Sequence, residues 1–204
     1  MRNLIIILTL FFFAPAFCQD KKAYETEIKA YQQQLNDEYK NPKDSPMKDE
    51  DQLAFTGHEF FKPNLKYRVV ADFKLTPEAK VFEMARSKGN TAPYRKYGEA
   101  TFMIGKKKYT LALYQNQKLM NDEKYKNELF IPFRDRTNGL ETYGGGRFMD
   151  VDIPAGNTVI IDFNKSYNPY CCYNEKYSCP LPPKENILSI EIRAGIKTYK
   201  AGKH

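Results

Sequence analysis

The sequence contains no tryptophan and only two histidines among its 204 residues. His58 and His204 lie far apart in sequence, so the chain offers neither a histidine-rich metal site nor an evident base for a nucleophile. It also lacks the glycine spacings of Walker and dinucleotide-binding motifs, a serine elbow and any internal repeat. No motif therefore identifies an enzyme class, and we expect neither a metal site nor a cofactor.

Clustering of positive charge is also missing. The net charge is +7, but acidic residues interleave with basic ones almost everywhere outside Lys106-Lys107-Lys108. A nucleic-acid-binding face needs clustered Lys and Arg side chains. We therefore predict a mixed, solvated surface and no nucleic-acid partner.

Long apolar runs are absent except in residues 4–13 (LIIILTLFFF), which follow a positively charged start. This run is shorter than the roughly 20 residues of a transmembrane helix, and small residues precede Gln19. The layout is typical of a signal peptide. We predict a signal peptide over residues 1–18, an exported (periplasmic or secreted) protein and no transmembrane anchor. A lipoprotein anchored at Cys18 is the less favoured alternative, because the residue before a lipidated cysteine is normally small and here it is Phe17.

One amphipathic helix is predicted at the start of the mature chain. Between residues 20 and 39, apolar or aromatic side chains recur every three or four positions, at Tyr24, Ile28, Tyr31, Leu35 and Tyr39. This spacing places them on one helical face, which suits a helix laid against a sheet. Asn41-Pro42 ends the helix, and a polar connection follows. We therefore assign helix and linker to residues 19–52 and a β-rich domain to 53–204, with 19–204 forming one structural unit.

The rest of the chain is rich in short segments with the composition of β-strands. The predicted strands are residues 67–73, 100–104, 108–114, 129–133, 157–163 and 187–192. Gly105 supplies the turn of a hairpin between the second and third of these, and Pro132 places the fourth at a sheet edge or a bulge. Because no further long helix is indicated, we predict a mainly β fold, an antiparallel sandwich or partly open barrel with one N-terminal amphipathic helix.

Several segments resemble a bacterial and archaeal family called domain of unknown function 1684. They are residues 130–134 (FIPFR), 141–154 (ETYGGGRFMDVDIP) and 161–183 (IDFNKSYNPYCCYNEKYSCPLPP), with Glu185-Asn186 and 193–195. The resemblance covers nearly the whole mature chain but implies little about function. Cys172 stands where the family usually has a small residue, and His58 where it usually has an apolar one. Neither is therefore a candidate for a shared site.

Gly144-Gly145-Gly146 followed by Arg147 is one candidate site. Free backbone amides and a guanidinium could form a nest that holds a carboxylate or phosphate. The alternative is a tight or bulged connection in which side chains do not fit. Both interpretations stay open on the sequence.

A second candidate lies at the end of the strand predicted over 157–163, where Asp162, Asn164, Tyr167 and Asn168 crowd together. Their oxygens could bind a polar ligand or a cation. They could equally tie the following loop by accepting from its backbone amides, as Asx turns do. We favour the structural role.

The loop over residues 164–186 holds Cys171, Cys172 and Cys179. In an exported protein the default is a disulfide, here between Cys171 and Cys179, which would close the loop. Free structural thiols and a reactive or metal-binding pair are the alternatives. The resemblance weakens the case for a bridge, because the family includes members without export signals.

The remaining candidates are Arg134, Arg147 and Arg193, whose guanidinium groups could converge on an anion or pair separately with Asp135, Asp150 or Glu185. The full candidate ligand-binding set is Arg134, Tyr143, Gly144, Gly145, Gly146, Arg147, Asp162, Asn164, Asn168, Glu185 and Arg193.

Two functional hypotheses follow from these residues. The first is an exported module that binds a small polar or anionic ligand or has a structural role. The second is a hydrolase-like enzyme that uses Asp162, Arg147 and the loop over 164–186. The absence of a usable histidine, serine elbow or metal set favours the first.

Overall fold

A computed structural model of the chain describes residues 21–200. The predicted signal peptide, Cys18 and His204 lie outside these residues. Helix α1 (Lys21–Lys40) confirms the predicted N-terminal helix, and it buries Tyr24, Ile28 and Tyr39. A short helix, α2 (Asp49–Leu53), follows in the connection.

The body of the protein is one curled antiparallel sheet of seven strands. The strands are β1 (Arg68–Leu75), β2 (Val81–Ala85), β3 (Thr91–Ile104), β4 (Lys107–Asn116), β5 (Glu128–Phe133), β6 (Arg147–Asp152) and β7 (Thr158–Asp162). The strand order is β6-β5-β4-β3-β1-β7, with β2 paired to β3. The sheet curls into a half-barrel, which confirms the mainly β prediction in its partly open barrel form.

Both faces of the sheet bury apolar side chains. On the inner face, residues from β1, β3, β4, β5, β6 and β7 form the main core. Side chains alternate along a strand, so Leu111 and Leu113 of β4 join this core while Ala112 and Tyr114 face the opposite, outer side. There they form a second buried cluster with residues of β2 and β3. This outer face carries the cleft described below.

Asn186 fills a gap between β4 and β5. The two strands share a single pair in register, Tyr114 with Phe130. Beyond it, the Asn186 amide accepts from the Ala112 amide (2.7 Å) and donates to the Ala112 carbonyl (2.9 Å) and the Pro132 carbonyl (2.8 Å). The prediction that Pro132 lies at a sheet edge or a bulge is therefore wrong. Pro132 lies in β5, between β6 and β4, where the Asn186 side chain locally replaces β4 as the hydrogen-bonding partner.

The prediction of a strand over residues 187–192 is wrong. This segment is irregular, although the Leu188 amide donates to the Arg134 carbonyl at 2.8 Å and the Arg136 amide to the Ile190 carbonyl at 3.0 Å. Leu188 and Ile192 are buried in the main core. The segment is thus apolar because Leu188 and Ile192 cover the core of the half-barrel, and not because it forms a strand.

Strands β2 and β6 were not predicted. In β6 the exposed Asp150 and Asp152 alternate with buried or half-buried residues. The strand was missed because it directly follows the glycine turn, and its polar residues have the composition of a continuing loop. This strand supplies a central residue of the candidate site.

Candidate functional site

Arg147 is a structural residue of the core. Its side chain is 0% exposed, and its guanidinium donates to the Asp135 carboxylate at 2.8 Å. It also donates to the carbonyls of Ile192 (2.8 Å) and Ala194. Asp135 accepts in addition from the amides of Thr137 and Ile192, so the buried charge pair is surrounded by further hydrogen bonds. Arg147 therefore holds the C-terminal segment against the core and does not face a cleft.

The glycine turn before Arg147 is explained by packing. Gly146 has φ +100, in the left-handed region that favours glycine, and a Cβ there would lie 2.7 Å from the Phe133 carbonyl oxygen. A Cβ on Gly145 would lie 2.5 Å from the Tyr143 ring, whereas a Cβ on the exposed Gly144 would make only an ordinary contact, 3.8 Å from the Gly139 Cα. These contacts support the tight connection rather than an anion-binding nest.

Asp162 and Asn164 tie distant parts of the chain together. The Asp162 carboxylate accepts from the Tyr24 hydroxyl of α1 (2.9 and 3.0 Å) and from the Asn164 amide (3.0 Å). The Asn164 side chain in turn donates to the Asn64 carbonyl at 3.0 Å and accepts from the Asn64 amide at 2.9 Å. This is the favoured Asx-type alternative, and it fastens α1 to the end of β7.

The other predicted site residues occupy separate places. Asn168 donates to the Lys197 carbonyl at 2.9 Å, and Glu185 accepts from the Tyr114 hydroxyl at 2.8 Å. Arg193 forms a surface ion pair with Glu141 at 2.7 Å, and Arg134 is exposed. The three predicted arginines therefore do not converge, and the hydrolase-like alternative lacks a shared cleft for Asp162 and Arg147.

The three cysteines of the 164–186 loop are free thiols in the structure, so the predicted bridge is not shown. Cys171 and Cys179 are nonetheless neighbours, since the Cys171 amide donates to the Cys179 sulfur at 3.2 Å. The Cys179 thiol, chiefly, and the Tyr143 hydroxyl at 3.9 Å lower the pKa of Cys171 to about 6. Burial raises the pKa of Cys172 to about 12. Cys171 is thus the more nucleophilic of these two thiols at neutral pH.

A cleft of about 780 Å³ lies between α1, the outer face of the sheet and the loop over residues 167–180. We call it the aromatic cleft because of the side chains that line it: Tyr31, Tyr39, Tyr94, Tyr125, Phe130, Phe148, Tyr167, Tyr170 and Tyr177. Of the residues considered above as ligand-binding candidates, Tyr167 lines the cleft, whereas no member of the full candidate set does. The lining residues come from elements that are distant in sequence, so their spacing along the chain does not indicate a common site.

Four of these rings form a row along the floor. The ring centroids of Tyr94 and Phe130 are 5.7 Å apart, those of Phe130 and Phe148 are 4.7 Å apart, and those of Phe148 and Tyr167 are 6.0 Å apart. The row crosses β3, β5 and β6 and ends on the segment after β7. That segment is joined to β6 by two backbone hydrogen bonds between Phe148 and Tyr167, each of 2.9 Å. The floor is therefore a rigid part of the sheet.

Two carboxylates stand beside this row. Asp150 lies opposite Phe130 in the β5–β6 pairing and accepts from the Tyr167 hydroxyl at 2.5 Å. Burial, chiefly, and the neighbouring Glu128 raise the pKa of Asp150 to about 7, against the effect of the Tyr167 hydrogen bond. Burial and Asp152 likewise raise the pKa of Glu128. The Asp150 side chain is still open to solvent through the mouth of the cleft, so water screens part of this shift and a bound ligand would displace that water.

No Lys, Arg or His among residues 21–200 forms an ion pair with Asp150 or Glu128, although Lys124 partly offsets the raised pKa of Glu128. The cations that line the cleft contact other groups. The Lys124 and Lys176 ammonium groups each lie 5.0 Å from a ring centroid, of Tyr125 and Tyr177 respectively, and Arg86 donates to the Ser178 carbonyl. The cleft thus has a negative floor with aromatic walls.

Within residues 21–200, no group of three or more His, Cys, Asp and Glu side chains could hold a metal ion. His58 is packed among aromatic rings, where burial lowers its pKa to about 3, and its Nδ1 lies 2.8 Å from the Asn36 side-chain oxygen. The same range forms no helix long and apolar enough to cross a membrane.

Comparison with known proteins places the chain in a family. The model of the family described as "Protein of unknown function (DUF1684)" matches residues 53–197. A solution NMR structure of an uncharacterized protein from gene locus rrnAC0354 of Haloarcula marismortui is similar, with 30% sequence identity and a TM-score of 0.68. That match covers 88% of this chain and 96% of the other. The search of curated proteins gave no match. The chain belongs to the DUF1684 family of proteins of unknown function.

Proposed function

We propose that this protein is an exported small-ligand-binding protein and that the aromatic cleft is its binding site. The observation that carries the proposal is the cleft itself, about 780 Å³ in volume, with nine aromatic side chains among its 21 lining residues. Binding pockets for small molecules typically have volumes of about 300–1,000 Å³ and combine apolar walls with a few polar groups. Asp150, Glu128 and the Tyr167 hydroxyl supply those polar groups here.

The electrostatics of the floor support a binding role over a purely structural one. A carboxylate whose pKa is raised by burial destabilises the folded protein at neutral pH. Asp150 is such a group, and it is held by a single hydrogen bond from Tyr167. Groups of this kind are concentrated at functional sites, where an interaction with a ligand offsets the energy they cost the empty protein.

A screen of small molecules against the purified protein tests the binding role. Ligands that bind only the native state raise the melting temperature, and amide NMR shifts locate where they bind. Tyr170 is 47% exposed and lines the cleft, so Tyr170→Ala removes part of the wall without disturbing the core. Leu140, 81% exposed and outside the cleft, provides the matched control Leu140→Ala. Hits should be weakened by the first substitution and unaffected by the second; hits equally sensitive to both would contradict binding in the cleft.

The export part of the proposal is supported by the charged start, short apolar run and small residues before Gln19. Cell fractionation followed by intact-mass measurement of the full-length gene product tests it. We expect a mature chain that begins at Gln19 outside the cytoplasm. An unprocessed chain in the cytoplasm would contradict export, and a diacylglyceryl adduct on Cys18 would replace simple cleavage by lipid anchoring.

A further inference from the structure

We infer that the ligand of the aromatic cleft is an organic cation, an amine or quaternary ammonium group on an apolar or aromatic body, whose charged head lies beside Asp150 and Glu128. This inference rests on the proposed binding function and adds the chemical class of the ligand.

The first argument is the uncompensated negative charge on the floor. Asp150 pairs with Phe130 and Glu128 with Asp152 across β5 and β6, so Asp150 and Glu128 are diagonal neighbours on one face of the sheet. Glu128 raises the pKa of Asp150, and Lys124 offsets only part of the raised pKa of Glu128. No cationic side chain of residues 21–200 forms an ion pair with either carboxylate. A ligand cation would supply the missing counter-charge.

The second argument is the aromatic row. Ring faces attract cations within about 6 Å of the centroid, most strongly where water is excluded. Phe130 lies opposite Asp150 in the β5–β6 pairing, Phe148 lies two residues before it in β6, and the Tyr167 hydroxyl donates to it. Tyr31 of α1 is also near, since its pKa is raised by burial and then by Asp150. A carboxylate beside aromatic rings is a combination that binds alkylammonium heads through both charge and ring quadrupole.

The third argument is the shape of the floor. A recess of about 120 Å³ adjoins the cleft and shares six of its lining residues. The shared residues are Tyr94, Tyr125, Glu128, Phe130, Asp150 and Tyr167. The two carboxylates therefore lie where the small recess meets the larger cleft. A compact charged head fits the recess, and the body of the ligand extends along the aromatic wall.

Other ligand classes fit the charges less well. An anion would meet Asp150 and Glu128 on the floor. The three lining cations contact other groups: Lys124 and Lys176 lie against tyrosine rings, and Arg86 donates to the Ser178 carbonyl. A neutral polyol could donate to the carboxylates and stack on the rings, but it would leave their charge uncompensated. Among these classes, only a cation both neutralises the carboxylate charge and interacts favourably with the aromatic rings.

Isothermal titration with matched probes tests the inference. The probes share a phenyl body and differ in charge: phenethylammonium and benzyltrimethylammonium are cationic, 2-phenylethanol is neutral and 3-phenylpropionate is anionic. Maltose represents neutral polyols. We expect both cations to bind about tenfold or more tightly than 2-phenylethanol, with amide shifts at Phe148, Asp150 and Tyr167, and the anion and the sugar to bind more weakly than 2-phenylethanol.

A pair of variants separates local contact from overall charge. Asp150→Asn removes the charge on the floor but retains an acceptor for Tyr167, whereas Asp72→Asn removes an exposed charge of β1 that does not line the cleft. We expect Asp150→Asn to weaken cation binding about tenfold and to leave 2-phenylethanol binding unchanged, while Asp72→Asn changes cation binding by less than about twofold.

The failures of the two proposals are distinguishable. If 2-phenylethanol or maltose bound in the cleft as tightly as the cations, or if Asp150→Asn and Asp72→Asn behaved alike, the cation class would be overturned and the binding function would stand. If no probe bound and none shifted a cleft resonance, both proposals would fail.

Discussion

Two of the charged side chains of strand β6, Arg147 and Asp150, have opposite surroundings. The Arg147 guanidinium is fully buried and bonded to the Asp135 carboxylate and to carbonyl groups of the C-terminal segment. Asp150, three residues on, faces the aromatic cleft with one hydrogen bond and no ion pair among the described residues. The comparison separates structure from function: the charge whose partners are all internal holds the fold together, and the charge without a counter-ion is available to a ligand.

Substitution of Arg147 should give the largest effect. Arg147→Met leaves the Asp135 carboxylate buried without its counter-ion, so we expect the free energy of unfolding to fall by about 3–5 kcal/mol. Urea denaturation measures this loss. Arg193→Ala breaks exposed ion pairs and should cost less than about 1 kcal/mol. Equal losses in the two variants would show that Arg147 is not a structural anchor.

Gly146→Ala comes next. The substitution forces a Cβ into the left-handed region and against the Phe133 carbonyl oxygen, 2.7 Å away, so we expect a loss of about 1–3 kcal/mol. The same denaturation experiment on Gly144→Ala, at an exposed position where a Cβ makes only ordinary contacts, should give a change within about 0.5 kcal/mol. If Gly146→Ala left the free energy of unfolding unchanged, the tight-connection explanation would fail and the glycine segment could again be an anion-binding nest.

Asp150→Asn should stabilise the empty protein. The folded-state pKa of Asp150, about 7, lies above the unfolded value of about 3.9, so the protonated folded state is favoured at low pH and the energy of ionising it is lost from stability as pH rises through 7. We expect the melting temperature of the variant to exceed that of the wild type by a few degrees at pH 8, and the difference to vanish near pH 4. A difference independent of pH would argue that Asp150 ionises normally in the cleft.

The smallest effect on the fold concerns the thiols beside the cleft. Iodoacetamide reacts with thiolates, so Cys171, with a pKa of about 6, should be alkylated before Cys172 at pH 7. Its rate should fall as pH drops below 6. Peptide mapping by mass spectrometry gives the order of modification. An unreduced protein whose intact mass lacked two hydrogens, with Cys171 and Cys179 unreactive, would restore the predicted disulfide.

Local periodicity was enough to predict much of the fold. The spacing of Tyr24, Ile28 and Tyr39 located α1, and the hairpin around Gly105 lies between β3 and β4 as predicted. The segment over 187–192 misled, because a run of apolar residues that closes a core has the same composition as a strand. Periodicity reports burial directly and hydrogen bonding only indirectly.

The site could not be assembled from the sequence for a different reason. Tyr31, Tyr94, Phe148 and Tyr167 lie on four different elements, and only the curl of the sheet with α1 across it brings them together. Asp150 appeared in the sequence as a partner for an arginine, because charge pairing is the commoner arrangement. A useful signal was present all the same, since Phe148 and Asp150 both lie within the family-like segment over 141–154.

Asn186 has a consequence for the width of the sheet beneath the cleft. A side-chain amide has the same donor and acceptor as a peptide bond, and here it substitutes for one between Ala112 and Pro132. Two neighbouring strands can therefore diverge without leaving either backbone unbonded, and the sheet gains a splayed region that a regular ladder could not provide. Asn186→Asp would replace the amide nitrogen, which donates to two carbonyl groups, by an oxygen that can only accept. The strands would then lose their connection between Ala112 and Pro132.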